Sequence, residues 1–452
     1  MPSLVVDSQA TVAEAMANAD VGEAAWFRLM PKLRVHGEGD KVRAGEPVVL
    51  ENVMSGLKLH VGKAHFGGED TPGADPTNLG FMANIAGAHT GGPWGGWISP
   101  WLGKHKALYP NLEDRPEGEY LTRAITVKAI ELLDQAISDG QPFFLNMAQF
   151  AVHTGIAPAP DYIDGYQDGR PKVEADYASM LEAMDASLGE LLAKLRDPNN
   201  DGDHSDSVAG DTLVFFMSDN GGLSNHTRAT AGPVEVRPAT GQPIEADYAK
   251  DWHNRPLRSG KGSAYEGGYR IPMLVAWAGQ GAQEPPLHPA LPIQPGSTIT
   301  EPVHMDDFFP TVLDLAAIDN PVPKAERDGQ SLRPLLSART FARARPLFWH
   351  YPHQWYRDIG TGLGIEPFSA MRNGRYKLIY FYGDGIADGE GPDPRVELYD
   401  LSLDLSEGRD LAATKPELCA RLRAELFAWL RQVGAGIPIV KATGAPAALS
   451  DG

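Results

Sequence analysis

The stretch LVFFMSDNGG, residues 213–222, decides how the chain is read. Its apolar run leads straight into Ser-Asp-Asn-Gly-Gly. A short continuous apolar run reads as a strand covered on both faces. Such a strand does not tolerate an unpaired charge, so the carboxylate of Asp219 requires a compensating partner.

Working outward, ADYASMLEAMDASLGELLAKLRD upstream has helical spacing, and PFFLNMAQFAVH before it reads as a buried strand ending at His153. EYLTRAITVKAIELLDQAISDG is a second amphipathic helix, with Gly140 as its C-terminal stop. Between residues 71 and 118 the chain is rich in Gly, Pro and Trp and reads as a long irregular loop. Downstream, PLRSGKGSAYEGGYRIPMLVAWAG is a Gly-rich loop leading into another apolar strand, and HMDDFFPTVLDLAAI is a short helix.

Strand, helix and strand in alternation predict an α/β fold with a mixed, mostly parallel sheet between helices. Ligands of such sheets collect at the carboxyl ends of the strands, which groups His153 with Asp219 and Asn220. From about residue 340 the texture changes to PLFWHY, SAMRNGRYKLIYFY, VELYDL and a final helix, predicting a small antiparallel sheet with one covering helix. The expected organisation is an atypical segment 1–60, an α/β domain 61–340, a C-terminal subdomain 341–440 and a tail 441–452.

The bulk numbers constrain partners. With 452 residues, 42% hydrophobic and 22% charged content, the chain has the balance of a globular protein. A net charge of -19 argues against nucleic acid as the main partner, though it does not bar a locally basic pocket. A single cysteine, Cys419, excludes an intrachain disulfide framework and reads as a packing residue of an amphipathic helix. The opening residues MPSLVVDSQATVAEAMANAD do not read as a signal peptide, and no apolar run is long enough for a membrane span. Localisation stays open.

Two short motifs carry little. DPNNDGDHSDS, 197–207, imitates the start of a calcium loop, but its twelfth position is Val208 where a bidentate acid is required, so it reads as a solvated connection. NHT at 225–227 is a glycosylation triplet of a kind that also arises by chance.

The chemistry sits elsewhere. Asp219 and Asn220 offer adjacent hard oxygens suited to Ca²⁺ or Mg²⁺, while Gly221 and Gly222 let the backbone turn behind them. Alone, Asp-Asn-Gly-Gly is equally a good turn. VGKAHFGG places Lys63 and His65 on alternate residues, hence on one face if extended, and RSGKGS sets Lys261 between glycines. Each is weak alone: an exposed lysine is usually solvated, and a histidine such as His153 is usually a hydrogen-bonded core residue. Together they predict a site that grips a tetrahedral anion against a divalent cation. Each fixed positive charge contributes on the order of 1–4 kcal/mol at contact. Such a cluster fits sulfuryl or phosphoryl transfer.

The order of motifs resembles the sulfatases, a branch of the alkaline-phosphatase-like superfamily, from about residue 60 to 437. The resemblance rests on GKAHFG, DPTNLGFMANIAGAH, EGEYLT, PFFLNMAQFAVHT, FFMSDNGG, PLRSGKGSAYEGGYRIPMLV, DFFPTVLDLA, DGQSLRPLL, MRNGRYKLIY and ELYDLSLDLSEGRDLA. It implies that Asp219 and Asn220 are metal ligands, usually for Ca²⁺. It also implies that Lys63, His65, His153 and Lys261 hold the sulfate, orient the nucleophile and protonate the leaving alcohol. The substrates implied are sulfate esters of sugars or phenols.

Two family elements have no counterpart: an initial apolar strand ending in two acidic metal ligands, and a C/S-x-P-x-R motif whose Cys or Ser becomes the formylglycine nucleophile. The expectation is a sheet short of a central strand, weakened metal affinity and a chain inactive or incomplete as written. Residues 26–62 resemble the β-trefoil repeats at the start of inositol trisphosphate receptors; the other reading of that region is the ordinary sulfatase lead-in preceded by unrelated sequence. Two further functions stay open: a non-catalytic binder of sulfated glycans, and a phosphatase or phosphodiesterase of the same superfamily.

Overall fold

A computed structural model describes residues 27–31, 48–52, 56–101, 109–166, 168–224, 253–279, 288–317, 328–353, 364–383, 394–440, 443–447 and 449. The glycosylation triplet at 225–227 and most of the receptor-like segment lie outside the described residues. The chain forms two compact units, one of residues 1–214 and 275–341, the other of residues 215–274 and 342–452.

In the first unit, β1 (Phe27–Pro31) pairs antiparallel with β2 (Val48–Asn52). The next strand, β3 (Leu57–Gly62), is the middle of a three-stranded parallel sheet, flanked by β4 (Ala83–Ile85) and β5 (Phe143–Ala148). The Gly/Pro/Trp-rich loop therefore contains a strand. Three residues are too few to show a period, which is why β4 was not legible. A parallel pair needs a crossover, and α1 (Leu121–Ser138) supplies it between β4 and β5. Buried Leu121, Ala124, Ile125, Ala129 and Leu133 recur at helical spacing and join Val61 of β3 in one core. Gly140, at φ 62°, stops the helix as the sequence suggests, its N–H donating to the Ile137 carbonyl at 3.0 Å. The second long helix, α2 (Lys172–Arg196), is joined to α1 by the buried pair Thr126 Oγ1 and Ser187 Oγ, 2.6 Å apart. Past it, residues 197–205 form a chain of side-chain turns: Asp197 accepts from the amides of Asp201 and Gly202, and Asp203 from that of Ser205. A short helix, α3 (Phe308–Leu315), appears where expected.

The chain passes between the units within β6 (Leu213–Met217) and returns within β7 (Met273–Trp277), and these two strands pair with each other. The Ala278 amide donates to the Thr212 carbonyl at 2.8 Å and the Ser218 amide to the Pro272 carbonyl at 3.4 Å, so the strands run antiparallel. This corrects the expectation that the 213–218 strand joins a mostly parallel sheet. Among the described residues that sheet has three strands, and β6 and β7 form a separate pair. An apolar run signals burial, not direction, and all five β6 residues are only half-buried.

In the second unit, β8 (Leu347–Tyr351), β9 (Phe368–Asn373), β10 (Tyr376–Phe381) and β11 (Arg395–Asp400) form an antiparallel sheet in the order β11-β10-β9-β8. Alternation along β10 divides its side chains. Leu378 and Tyr380 join Leu422, Leu426, Phe427 and Leu430 of α4 (Pro416–Val433), while Ile379 and Phe381 join Ala264 and Tyr265. The helix thus covers one face, as the sequence implies, and the loop after Lys261 covers the other. Cys419 is buried in the α4 core, as its packing role requires. No helix among the described residues is long and apolar enough to cross a membrane.

Candidate functional site

The first unit carries Lys63, His65 and His153. β3 ends at Gly62, whose φ of 99° suits a residue without Cβ; a Cβ there would lie 1.9 Å from the Ala148 carbonyl oxygen. That close approach lets the Lys63 amide donate to the same oxygen at 2.7 Å, tying the lysine to the end of β5. Lys63 and His65 do not continue the strand. His65 has φ 53°, and its amide donates to the Ala88 carbonyl at 2.9 Å. The one-face arrangement expected of an extended segment is therefore replaced by a turn that sends the His65 ring toward Gly91.

His153 lies beyond β5, not at its end. Residues 149–152 make a turn in which the His153 amide donates to the Phe150 carbonyl at 2.9 Å, and Phe150 is buried. The apolar residues after Ala148 belong to the core without belonging to the strand, which is why the sequence extends the strand too far. His153 Nδ1 lies 3.1 Å from the Thr154 carbonyl oxygen.

The two imidazoles sit on consecutive glycines. A Cβ on Gly91 would lie 2.6 Å from His65 Nδ1, and one on Gly92 would lie 3.1 Å from His153 Cε1 and 2.7 Å from the Trp94 ring. Bare backbone is what allows both rings to approach the same short segment.

Beneath this turn, sequence reading missed His60. It is fully buried on β3, with Asn146 Nδ2 of β5 3.0 Å from its Nδ1. An amide nitrogen only donates, so Nδ1 accepts and Nε2 carries the proton. Nε2–H then donates to the Gly62 carbonyl at 3.1 Å, bracing the turn that carries Lys63. Burial lowers the pKa of His60 to about 4, so the ring is neutral at physiological pH.

The second unit carries Asp219, Asn220 and Lys261. Gly221 donates its N–H to the Gly268 carbonyl at 2.8 Å, and the Lys261 amide donates to the Gly222 carbonyl at 3.0 Å. Asn254 Nδ2 bridges the Gly222 and Ser259 carbonyls at 3.0 and 2.9 Å. The structure thus brings the Lys261 loop and the Asp-Asn-Gly-Gly turn together within the second unit. The Asn220 amide donates to Asp219 Oδ1.

The Lys261 loop is anchored by buried charges that sequence reading also missed. Arg258 stacks on the Tyr265 ring, 3.5 Å from its centroid, and donates to the Glu407 carbonyl at 3.2 Å. Tyr265 and Tyr399 both donate to Glu397 Oε2, at 2.9 and 2.7 Å. Lys377 Nζ is held between Glu266, at 3.0 Å, and Glu407, at 2.7 Å, with all three side chains buried. Burial opposes the lysine's charge, but the two carboxylates outweigh it and raise its pKa. Burial likewise pushes Glu407 upward, against the pull of Lys377. The available signal was a charge at an inward-facing position of an apolar strand, Lys377 in YKLIYF and Glu397 in RVELYD.

Sulfatases typically use a divalent metal, and the residues here meet that requirement only in part. Asp219 and Asn220 supply one carboxylate and one amide oxygen, against six to eight oxygens for Ca²⁺. Among the described residues no group of three His, Cys, Asp or Glu could hold an ion. Among the described residues the donor set does not make a complete site.

Comparison with known proteins agrees with this layout. A family model described as Sulfatase matches residues 61–318, one described as N-sulphoglucosamine sulphohydrolase, C-terminal, matches 260–433, and one described as Inositol 1,4,5-trisphosphate/ryanodine receptor matches 7–72. A sulfatase of Formosa agariphila is 32% identical over 346 residues, covering 74% of this chain and 52% of that protein. Steryl-sulfatase of Mus musculus is 27% identical over 318 residues, covering 68% and 43%. The chain spans about half the length of these curated relatives. In fold it is similar to the crystal structure of Ps i-CgsB in complex with k-i-k-neocarrahexaose, with a TM-score of 0.60, 24% identity, and coverage of 83% of this chain and 71% of that one. It is also similar to the phosphonate monoester hydrolase of Agrobacterium radiobacter, with a TM-score of 0.51, 17% identity, and coverage of 86% and 82%. The Sulfatase model alone spans more than half of the 452 residues, and the chain belongs to the sulfatase family.

Proposed function

We propose that this chain binds sulfate esters of sugars or phenols and supplies the anion-holding and proton-donating residues for their hydrolysis. The observation that carries the reading is the seating of His65 and His153 on Gly91 and Gly92, beside a lysine fixed by Gly62. Lys63 is the cation for the sulfuryl oxygens beside these two rings, where charge is offset best in a site with little water; Lys261 is the candidate anion-holding cation of the second unit. His65 and His153 are the candidates for orienting the attacking group and giving a proton to the leaving alcohol oxygen. Asp219 and Asn220 are the two residues that the family resemblance assigns to a divalent metal, Ca²⁺ or Mg²⁺, and by themselves they are an incomplete ligand set.

A binding-only reading has one feature in its favour: no Cys or Ser of the 452 residues stands in a C/S-x-P-x-R context. Covalent catalysis through formylglycine is then not available from this chain's own residues.

Titration calorimetry and a release assay with p-nitrophenyl sulfate and p-nitrophenyl phosphate separate these readings. The proposal expects the sulfate ester to bind, with binding weakened in both Lys63→Ala and His153→Ala. Binding without turnover supports the binding-only reading. Preference for the phosphate ester supports a phosphatase or phosphodiesterase, and absence of binding to either ester removes the proposal.

A further inference from the structure

Three tryptophans lie close together in GGPWGGWISPW, and they are not equivalent. Trp97 and Trp101 are buried, at 7% and 8% exposure, whereas Trp94 is 46% exposed. Trp97 is fixed by its indole N–H on the Gly155 carbonyl at 2.7 Å and by stacking on Tyr120. Among the described residues Trp94 has no such anchorage in the core. Its position comes from its backbone: the Trp94 amide donates to the Gly92 carbonyl at 2.9 Å, and the Gly96 amide to the Pro93 carbonyl at 2.9 Å. Gly95 rests on the ring of buried Tyr109, whose hydroxyl donates to the Gly96 carbonyl at 3.2 Å. A tight, braced turn thus holds one large aromatic ring outward.

A lone exposed aromatic needs no explanation by itself. This one is placed against the candidate site. Its ring meets that of His153 edge-on, with centroids 5.8 Å apart and planes at 86°, and it touches Gly92, the neighbour of the glycine under His65.

We propose that Trp94 is a specificity-determining residue: a stacking surface for the ring of a sulfated pyranose whose sulfate is held by Lys63, His65 and His153. The C–H bonds on one face of a pyranose carry slight positive charge and suit the negative face of an indole. An indole also supplies a large contact area with few rotatable bonds to freeze. The cationic groups hold any sulfate; the tryptophan separates a ring-bearing ester from a small one. The inference rests on the reading of those three residues as an anion grip, and its test is built so that the two can fail separately.

The test is titration calorimetry of the full chain with glucose 6-sulfate, methyl sulfate and inorganic sulfate, using wild type, Trp94→Phe and Trp94→Ala. The expected result is that Trp94→Ala binds glucose 6-sulfate roughly tenfold more weakly, with the two small anions within about twofold of wild type and Trp94→Phe in between. An unchanged affinity for glucose 6-sulfate in Trp94→Ala, or an equal loss for all three ligands, overturns the role of Trp94 while leaving the anion grip standing. Failure of wild type to bind any of the three overturns the anion grip itself, and this inference with it.

Discussion

Lys377 Nζ lies 2.7 Å from Glu407 Oε1, with neither side chain exposed to solvent. Glu407 Oε2 in turn accepts from the Glu266 amide at 2.6 Å, and Glu266 Oε1 receives Lys377 at 3.0 Å. The closed set links β10, the helical turn Glu266–Tyr269 and the segment before α4, all behind the Lys261 loop. Its place in the molecule is to fix that loop's backbone.

Removing the lysine takes from Glu407 its ion-pair partner at 2.7 Å and leaves Glu266 with only the longer pairs to Arg270, at 3.4 Å, and Arg372, at 4.0 Å. Breaking such a pair costs about 3–5 kcal/mol, whereas an apolar residue of similar volume in place of the whole set is often neutral. Lys377→Ala is expected to lower stability by that amount in urea unfolding, and the triple variant Lys377→Met, Glu266→Gln, Glu407→Gln to recover a large part of it. A loss below 1 kcal/mol for Lys377→Ala contradicts the buried-network account.

His60 gives the stability a pH dependence whose sign can be worked out. Its pKa is about 4 in the folded chain, against an ordinary value of 6.5. Between those values the unfolded chain binds the extra proton, so stability falls as pH drops from 6.5 toward 4 and is fully regained above 6.5. The shift corresponds to about 3 kcal/mol at most. Glu407, with its pKa raised by burial, works in the opposite sense over part of this range. The difference between wild type and His60→Gln isolates the histidine. Urea midpoints measured from pH 4 to 7 are expected to rise more steeply in wild type; parallel curves contradict a buried neutral ring.

The glycines under the imidazoles are expected to matter for ligand more than for folding. Gly91→Ala places a Cβ 2.6 Å from His65 Nδ1, and Gly92→Ala one 2.7 Å from the Trp94 ring, so the rings must move. Far-ultraviolet circular dichroism should stay that of wild type while affinity for a sulfate ester falls at least about tenfold, or 1.4 kcal/mol. Wild-type affinity in both variants would show that the rings are not part of the binding site.

How much of this was legible in the sequence differs from element to element. The helices at 121–138 and 416–433 follow from apolar spacing, and the C-terminal antiparallel sheet from short apolar strands separated by turns. The pairing of β6 with β7 was not legible, because an apolar run carries no strand direction. Asp219, Asn220 and Lys261 were singled out because glycines flank them, and the close backbone approach those glycines mark is present, Gly221 donating to Gly268 and Lys261 to Gly222. His60, Lys377 and Glu407 were missed for the converse reason. A charged or polar group buried by its partners looks, in one dimension, like any solvated residue, and those partners lie from 30 to 141 positions away.

The most direct test follows the two histidines themselves. In a chain with isotope-labelled histidine, the ring signals of His65 and His153, assigned through His65→Ala and His153→Ala, are followed by nuclear magnetic resonance during titration with p-nitrophenyl sulfate. The account predicts that both move along one saturation curve while the buried His60 signal shifts little. Movement of neither ring at saturating ester, or two unrelated curves, would contradict a shared grip on the sulfate.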